Sequence, residues 1–450
     1  NLRGIKYIFQ STVSNFAAFT PLSMLIIILI GIGIMDKSGF LKTTFSLITR
    51  KCQKKTLTFV LALICIILSI GGDLAYVVMI PLSALLFYYG RRNPLLGIVI
   101  SFAALTCGTG LSFFKTSIDS SLDALTLESS RILDSSYTFN YLGYFIIMVV
   151  AILAIAALIT YISERFSVNE LPKYEFKDDK KDFKLAKRDI RGLIFAGTFG
   201  IIYLLIFIYN IIPGLPLSGN LLDYSQKLYI DKLFNPDSFF SQGFVFIVTI
   251  LFVILGLFYG LGSRSIKNSN DFCDYLTHSL DGIGRTIILI LLSSILVNVF
   301  KKSNIGTVIT ALIGNLITNC KFTGIPLLVL FFIGTAVATF FLPNTVNKWT
   351  ILSASCVPTL MNVGLSAEFI QVIFRFAEGM TYGLTPIMAY FVIYLAYMEK
   401  YNTADNPIGV FKILNYQKKY ALATGVILLI ILIIWYLVGL PIGIGVMPTI

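Results

Sequence analysis

Two charged residues near the C-terminal end of the chain, Arg375 and Glu378, lie three positions apart inside an apolar run. Residues at this spacing share one face of a helix, so their side chains can pair or act together. An arginine fork donates two parallel hydrogen bonds to a carboxylate, and a glutamate beside a cavity can hold a proton or a cation. The pair is therefore interpreted either as a structural ion pair or as an anchor for an acidic substrate with a titratable neighbour.

An aromatic residue and an acidic residue stand at two other interruptions of apolar sequence. Trp349 is one of two tryptophans, and it is interpreted as a stacking wall for an aromatic substrate or as an interfacial residue. Its neighbour Lys348 is predicted to extend towards the membrane interface. Asp73 follows Gly71-Gly72 and is a candidate for a cation site or for a helix cap.

Residues that catalyse reactions inside membranes are scarce in this chain. Its one histidine, His278, lies in a polar stretch, and its six cysteines form no CxxC pair. Acyl- and prenyltransferases need a base or metal ligands at membrane depth, and a channel needs a filter or a repeat that forms a ring. An enzyme, a metal cofactor, a disulfide framework and a channel are all less favoured than a carrier.

The composition decides the class of protein. Of 450 residues, 56% are hydrophobic and 13% are charged, whereas a soluble domain has about 25% charged residues. This excludes an ordinary soluble enzyme, a disordered chain and a nucleic-acid-binding domain. The net charge of +12 is explained by Lys and Arg in cytoplasmic loops. The chain is predicted to be an all-α polytopic membrane protein with roughly ten membrane-embedded segments.

The charges between the apolar segments indicate their orientation. Apolar segments lie near 21–35, 56–90, 95–108, 141–162, 192–212, 241–262, 285–300, 307–342, 349–363, 367–397 and 420–445. Residues 42–55 hold five basic residues and no acid, and residues 164–191 hold nine basic and seven acidic residues. The positive-inside rule places both in the cytoplasm and places 109–140 and 213–240 outside.

The charged stretch 164–191 also divides the chain. It is predicted to be a cytoplasmic linker between an N-terminal transmembrane half, 1–163, and a C-terminal transmembrane half, 192–450. Each half contains one apolar segment with a polar centre, and these two segments carry the functional prediction.

The first such segment is 56–90, which lies between Lys55 and Arg91. Its 35 residues are too few for two crossings, which need about 40 residues and a turn. Gly71-Gly72-Asp73 stands at its centre, where a carboxylate is costly unless protein or water surrounds it. The segment is predicted to be a re-entrant hairpin that enters and leaves on the cytoplasmic side; the alternative is an ordinary turn at the far interface.

The second such segment is 323–363. Two apolar legs flank a polar tip in which Pro343 ends one helix and Asn344, Thr345 and Asn347 can cap the next. This is the same arrangement of apolar leg, polar tip and apolar leg.

A helix interrupted by glycine follows each hairpin. The first covers 95–107 before Gly108, and the second covers 367–377 before Gly379. In each case the hairpin tip lies 35 positions before that glycine. Interrupted segments at corresponding places in two halves are typical of a secondary transporter with inverted repeats. The residues predicted to bind ions or to form the tips are Gly71, Gly72, Asp73, Gly108, Thr345, Asn347, Gly379 and Thr381.

Four stretches resemble the p-aminobenzoyl-glutamate transporter (AbgT) family over nearly the whole chain. They are GIGIMDKSG at Gly31–Gly39, GGDLAYVVMIP at Gly71–Pro81, LPNTVNKW at Leu342–Trp349, and EFIQVIFRFAEGMTYGLTP at Glu368–Pro386. The resemblance implies an inner-membrane homodimer whose architecture is similar to that of dicarboxylate/sodium symporters, with about nine spans. It also implies a further helix before residue 1. The expected cargo is p-aminobenzoyl-glutamate, related aryl-amide acids or sulfonamide antimetabolites, coupled to sodium or protons.

The resemblance also implies which residues bind the substrate. The family's substrate-site tryptophan and arginine correspond to Trp349 and Arg375, and its aspartate after the first broken helix corresponds to Asp119. Glu378 stands where the family has aspartate, and Asn344 belongs to the tip that is Ser-rich in the family.

Three departures from the family pattern concern the same region. Ala367 replaces a proline, Tyr382 replaces an asparagine, and Phe113-Phe114 stands where another asparagine is usual. These differences leave open a sodium/dicarboxylate-type carrier of another organic anion. Because Arg375 should keep Glu378 ionised, sodium coupling is expected.

Overall fold

The computed structural model describes residues 2–112, 116–140, 142–176, 184–227, 229–235, 238–403 and 407–450. The departure predicted at Phe113-Phe114 lies outside these residues. Long Ile, Leu and Val runs form helices because a helix satisfies its own backbone polar groups in lipid.

The described residues form an α-helical bundle. Its helices are α1 (Leu2–Ala17), α2 (Thr20–Lys37), α3 (Phe40–Lys51), α4 (Lys54–Leu68), α5 (Asp73–Tyr89), α6 (Pro94–Cys107), α7 (Ser117–Ser130), α8 (Phe145–Ile162), α9 (Val168–Glu170), α10 (Lys187–Ile211), α11 (Tyr229–Phe234), α12 (Phe239–Ser263), α13 (Ser269–His278), α14 (Gly284–Ser303), α15 (Ile305–Asn319), α16 (Gly324–Phe341), α17 (Thr345–Met361), α18 (Ala367–Thr381), α19 (Phe391–Lys400) and α20 (Val410–Val438).

Within the described ranges, eight helical segments are long and apolar enough to cross a membrane: Gly4–Lys37, Lys54–Gly71, Phe145–Glu170, Lys187–Ile211, Phe239–Ser263, Gly284–Ser303, Gly324–Phe341 and Val410–Val438. The prediction of an all-α, multi-span membrane protein is confirmed.

The predicted linker 164–191 is helical at both ends. A π-helical turn at Ser163–Ser167 carries the helix on from α8 to Glu170, and α10 begins at Lys187. Charged side chains at these ends can reach water while the backbone stays helical. The division of the chain into two halves stays a prediction.

The first predicted hairpin forms α4 and α5, joined by a 3₁₀ turn at Ser69–Gly71. Gly72, between this turn and α5, has φ +57°, a conformation that glycine adopts without strain. At the other end, Arg92 Nη1 donates to the Lys54 carbonyl at 3.2 Å and Nη2 lies 2.5 Å from Glu164 Oε1. The beginning and the end of this segment therefore lie side by side.

The second predicted hairpin forms α16 and α17. Pro343 lies between them, and the Asn344 side chain caps α17 by accepting the Asn347 N–H at 2.9 Å. Its two ends approach one end of α20: a Cβ on Gly324 would lie 3.5 Å from Tyr436 Oη, and Leu365 bridges to Thr449, eleven residues after α20 ends.

The two hairpins begin at opposite ends of α20. Beside the start of the first hairpin, Ser163 in the π-helical turn hydrogen-bonds Tyr420 at 2.9 Å. Beside the start of the second hairpin lies Tyr436, 16 residues further on, or roughly 24 Å along the helix. The two pairs of legs therefore start from opposite ends of α20.

The two interrupted helices, α6 and α18, cross where they end. A Cβ on Gly379 would lie 2.7 Å from the Cys107 carbonyl oxygen, and one on Gly110 would lie 2.6 Å from the Arg375 carbonyl oxygen. Gly110 also has φ +91°. Glycine is therefore required at this crossing both for space and, at Gly110, for the backbone conformation.

Both hairpins contact the ends of the interrupted helices. Ser69 Oγ, at the tip of the first hairpin, donates to the Gly108 carbonyl at 3.1 Å, and Thr381 Oγ1 donates to the carbonyl of Ala336 in α16 at 2.6 Å. The two helix ends therefore meet the hairpins inside the bundle, whereas several polar side chains at the tips remain exposed.

Helices α2, α10 and α12 pack on one side of this central group. Phe199 of α10 stacks on Phe258 of α12 with ring centroids 3.6 Å apart, and Tyr259 hydrogen-bonds Thr43 at 2.7 Å. The outer face of α10 leaves Ile201 and Leu205 exposed, as expected for a helix that contacts lipid.

Candidate substrate and ion site

Arg375 of α18 joins two acidic residues from different parts of the chain. Its Nη2 lies 3.2 Å from Asp119 Oδ1, and its Nη1 lies 3.3 Å from Glu378 Oε2. All three side chains are buried. The planar guanidinium fork spans two separate carboxylates, which a single ammonium cannot do in the same geometry.

Asp119 is held in place by a helix cap. Its Oδ2 accepts hydrogen bonds from Thr116 N at 3.0 Å and Thr116 Oγ1 at 2.7 Å, while its own N–H is bound by that hydroxyl. This capping box fixes the start of α7 and leaves Oδ1 directed at Arg375.

The prediction that Lys348 extends towards the membrane interface is wrong. Lys348 is completely buried, and its Nζ lies 2.7 Å from Glu378 Oε1. The reason is the orientation of the first turn of α17: Lys348 lies on the side of that turn that faces α18, whereas Asn347 beside it is exposed. Glu378 is therefore shared between Lys348 and Arg375.

Lys348 and Glu378 are each at the unfavourable end of their own helix. A positive charge in the first turn of α17 opposes the helix dipole, and so does a negative charge in the last turn of α18. Lys348 compensates the partial negative charge at the end of α18, and Glu378 compensates the partial positive charge at the start of α17. The pair thus needs both members, because removing one leaves an uncompensated buried charge.

Trp349 lies on the far side of this network. Its Nε1 donates to Thr126 Oγ1 at 2.9 Å, and Thr126 donates to Gln371 Oε1 at 2.5 Å. Gln371 in turn donates to Asp123 Oδ1 at 2.8 Å. The indole is fully buried against Phe374, with ring centroids 4.3 Å apart, and thus ties α17 to α7 and α18.

A narrow crevice reaches Arg375. It is lined by Gly110, Ser112, Asp119, Tyr144, Met148, Gln371, Val372 and Arg375, and these residues leave about 0 Å³ for the centre of a water-sized molecule. Pockets that hold drug-sized ligands are about 300–1,000 Å³. This conformation is therefore too closed to hold an aryl-amide acid, and Trp349 does not line the crevice.

The structure brings some predicted site residues together and keeps others apart. Asp119, Arg375 and Glu378 meet directly, and Gly379 lies at the helix crossing next to them. Asp73 is exposed at the start of α5, where its side chain hydrogen-bonds Tyr390.

The tip of the second hairpin faces outward in part. Asn344 and Asn347 are exposed, and Thr345 is partly buried. The side chain of Asn344 is used as a helix cap in this conformation. The binding roles predicted for these residues stay predictions.

Asp123, Thr126 and Gln371 were not among the predicted site residues, although one pattern in the sequence indicates them. Asp119, Asp123 and Thr126 follow the spacing i, i+4, i+7 on α7, and the same spacing relates Gln371, Arg375 and Glu378 on α18. Such residues line one helix face. Two polar faces with the same spacing, each inside a buried helix, indicate that they oppose each other.

One departure from the family pattern has a structural explanation. Ala367 begins α18, and its N–H donates to Tyr137 Oη at 3.2 Å. Proline lacks that N–H, so alanine allows a hydrogen bond that proline cannot make. Tyr382 forms the turn that follows α18, and nothing in its contacts explains the replacement.

Comparisons with known proteins identify the family of this chain. The profile of the AbgT putative transporter family matches residues 1–450. The chain is similar to the p-aminobenzoyl-glutamate transport protein of Escherichia coli strain K12, with 24% identity over 452 aligned residues that cover 100% of this chain and 86% of that protein.

Two solved structures have a similar fold. The YdaH transporter of Alcanivorax borkumensis matches with a TM-score of 0.54 and 24% identity over 98% of this chain and 91% of that chain. MtrF of Neisseria gonorrhoeae, whose structure is described as that of a class of antimetabolite efflux pumps, matches with a TM-score of 0.51 and 26% identity over 98% of this chain and 87% of that chain. The match along the whole chain shows that this protein belongs to the AbgT transporter family and is a multi-pass membrane transporter, not an enzyme.

Proposed function

We propose that this protein is a secondary active transporter of p-aminobenzoyl-glutamate-like aryl-amide acids or sulfonamide-type antimetabolites, coupled to an ion gradient by alternating access. The observation that carries the proposal is the buried charge network at the crossing of the two interrupted helices, where Arg375 contacts Asp119 and Glu378. A buried cation held by exchangeable carboxylates suits an acidic cargo.

We infer that Arg375 exchanges one carboxylate partner for another during transport. A substrate carboxylate can replace Asp119 at Arg375, because both are bound through the same planar fork. Asp119 Oδ2 keeps its two hydrogen bonds to Thr116 when Oδ1 is released. Opening the crevice by moving the hairpin legs would then admit the substrate from one side at a time.

The geometry of the hairpins supports alternating access. The segments Lys54–Gly71 and Gly324–Phe341 are each 18 residues long and could cross a membrane by length alone. However, Arg92 contacts the Lys54 carbonyl, so the chain from Lys54 through α4 and α5 to Arg92 ends beside the place where it began. We therefore propose that both hairpins are re-entrant and enter from opposite sides as inverted repeats.

A cysteine at position 73 tests the first hairpin. In a background with the exposed Cys52 and Cys273 replaced by serine, an Asp73→Cys variant should resist an impermeant thiol reagent added from outside in at least one conformational state. The reason is that the tip lies at the helix crossing, beside Gly108, and not in an external loop.

Asp223→Cys, in the loop between α10 and α11, is the matched control and should react quickly from outside. Reaction of the cysteine at 73 as fast as that at 223, under every condition, would show that the segment crosses the membrane.

Purified protein in proteoliposomes tests the substrate. We expect flux of p-aminobenzoyl-glutamate or of a sulfonamide when a sodium or proton gradient is imposed, and none in empty vesicles. Absence of flux for both compounds, with another organic anion transported instead, would contradict the proposed cargo.

A dicarboxylate-type carrier is the second candidate. It is favoured by the position of Trp349, which is hydrogen-bonded to Thr126 and does not line the crevice. An aliphatic dicarboxylate that competes as well as p-aminobenzoyl-glutamate would select this candidate, because an aromatic ring would then add nothing to binding.

We propose a homodimer in the cytoplasmic membrane, the inner membrane of a Gram-negative cell. The basic residues Lys54, Lys55, Arg91 and Arg92 at the ends of the first hairpin support a cytoplasmic orientation of that end. The mass of the purified protein in detergent tests the assembly.

A further inference from the structure

Lys348 sits in a site whose surroundings are those of a bound cation. Its Nζ lies 2.7 Å from Glu378 Oε1 and 3.4 Å from the Leu342 carbonyl oxygen. The ammonium also lies 5.5 Å from the centre of the Phe374 ring, within the range of a cation–π contact. The side chains of Lys348 and Glu378 have no exposed surface.

The same surroundings would suit a sodium ion. Transporters with interrupted helices bind sodium at the carbonyl-rich C-terminal ends of half-helices and at unwound backbone. Glu378 lies in the last turn of α18, and Leu342 lies in the unwound segment between α16 and α17. The carboxylate, the free carbonyl and the helix end are therefore all directed at the ammonium.

Lys348 supplies one of the two positive charges of the network. Asp119 and Glu378 are paired with Arg375 and Lys348, and Asp123 is a further buried carboxylate one turn along α7 from Asp119. Without Lys348, Glu378 would lose the nearer of its two cations, and the network would carry one more uncompensated negative charge. A buried charge of this kind needs a counter-ion, and a bound cation is the usual solution.

We propose that the ammonium of Lys348 is a tethered cation that occupies the position of a coupling sodium ion, so that transport by this protein does not require sodium. The inference rests on the proposed function for its consequence in transport, but the occupancy of the site is a property of the protein alone. It replaces the expectation of sodium coupling that followed from Arg375 and Glu378 without Lys348.

If sodium is not required, the proton is the remaining candidate for the coupling ion. A proton on Glu378 would release Lys348 and Arg375 to hold a substrate carboxylate, which links proton binding to substrate binding. Other ionisable side chains surround the pair and its arginine neighbour: Asp119 and Asp123 on α7, Tyr144 before α8, and Tyr382 after α18. All lie in the same buried network, so the proton is exchanged within one site.

The test needs no substrate. The melting temperature of the purified protein is measured in detergent with NaCl or with choline chloride at equal ionic strength. We expect the wild type to melt at the same temperature in both salts. Lys348→Gln removes the ammonium and opens a cation site, so its melting temperature should be lower in choline chloride and rise in NaCl by about 2 °C or more, to saturation.

Two variants serve as controls. Lys301→Gln, an exposed lysine in the last turn of α14, should show no difference between the salts. The double variant Lys348→Met/Glu378→Gln removes both charges and should not respond to sodium either, because the carboxylate that would bind it is gone.

The outcomes separate this inference from the proposed function. Sodium-specific stabilisation of the wild type, or a folded Lys348→Gln variant without a sodium response, overturns the tethered cation. If Lys348→Gln does not fold, flux by the wild type decides: equal flux in sodium and choline supports the inference, and flux only in sodium overturns it. Failure to transport any tested acid contradicts the proposed function but leaves the melting result valid.

Discussion

Replacing Arg375 with lysine is expected to reduce the affinity for an acidic substrate roughly 30-fold or more. Lysine keeps the charge but loses the fork that joins Asp119 to Glu378. Loss of one partner of a desolvated charged contact costs about 2–5 kcal/mol, and the lower figure corresponds to that factor. The measurement is the concentration dependence of flux in proteoliposomes at matched protein content.

Arg285→Lys provides a matched control for this substitution. Arg285 pairs with Glu399 at 2.7 Å, but its side chain is 66% exposed. Water can therefore replace the hydrogen bonds that are lost when lysine takes the place of this arginine. Flux should be unchanged in this variant. Normal flux in the Arg375→Lys variant would instead show that Arg375 only holds the bundle together.

Replacing Gly379 with alanine is expected to abolish transport and to destabilise the protein. The added methyl carbon would lie 2.7 Å from the Cys107 carbonyl oxygen, which is main chain and cannot turn aside. Insertion of atoms into a packed core costs about 1–3 kcal/mol, occasionally more. Here the shift would also separate α6 from α18 and disturb Arg375, which lies one turn earlier.

Gly71→Ala is the control at a second glycine that the sequence predicted to be functional. A Cβ at Gly71 has no atom within 4 Å, and its backbone is not in the left-handed region. We expect a melting temperature and a flux close to those of the wild type. If Gly379→Ala behaved like Gly71→Ala, the two interrupted helices would not be in close contact in the membrane.

The helical plan was predictable from the sequence because its signals are local. Lengths of apolar runs, Pro343 and the glycine pair at 71–72 each act on their own stretch of backbone. The predicted segments 56–90 and 323–363 accordingly became helix pairs with bounds within two residues of those observed, Lys54–Tyr89 and Gly324–Met361.

The contacts of the site were only partly predictable. Arg375 and Glu378 share one helix face, so their proximity follows from local geometry. The burial of Lys348 does not, because it depends on where the tip of the second hairpin meets α18, 30 residues further along the chain. A lysine beside a tryptophan is equally typical of a membrane interface, and only the tertiary contact separates the two environments.

Trp349 shows a similar limit. Its place beside the hairpin tip indicated a wall for an aromatic substrate, but the indole faces Thr126 and Phe374 in this conformation. The sequence gives no information on which way a helix is rotated about its axis when most of its residues are apolar. The polar side chains on α7 supplied the partner that fixes the rotation.

The charges of the network have an electrical consequence. The pairs Asp119–Arg375 and Glu378–Lys348 sum to zero, so the net charge of the unloaded site is that of the remaining buried carboxyl, Asp123. When the site turns from one side of the membrane to the other, the membrane potential would therefore act on Asp123, the cargo and the coupling ion, and not on the paired charges. A divalent acid that moves with one proton carries one net negative charge, so an inside-negative potential would favour its export by about 2.3 kcal/mol per 100 mV.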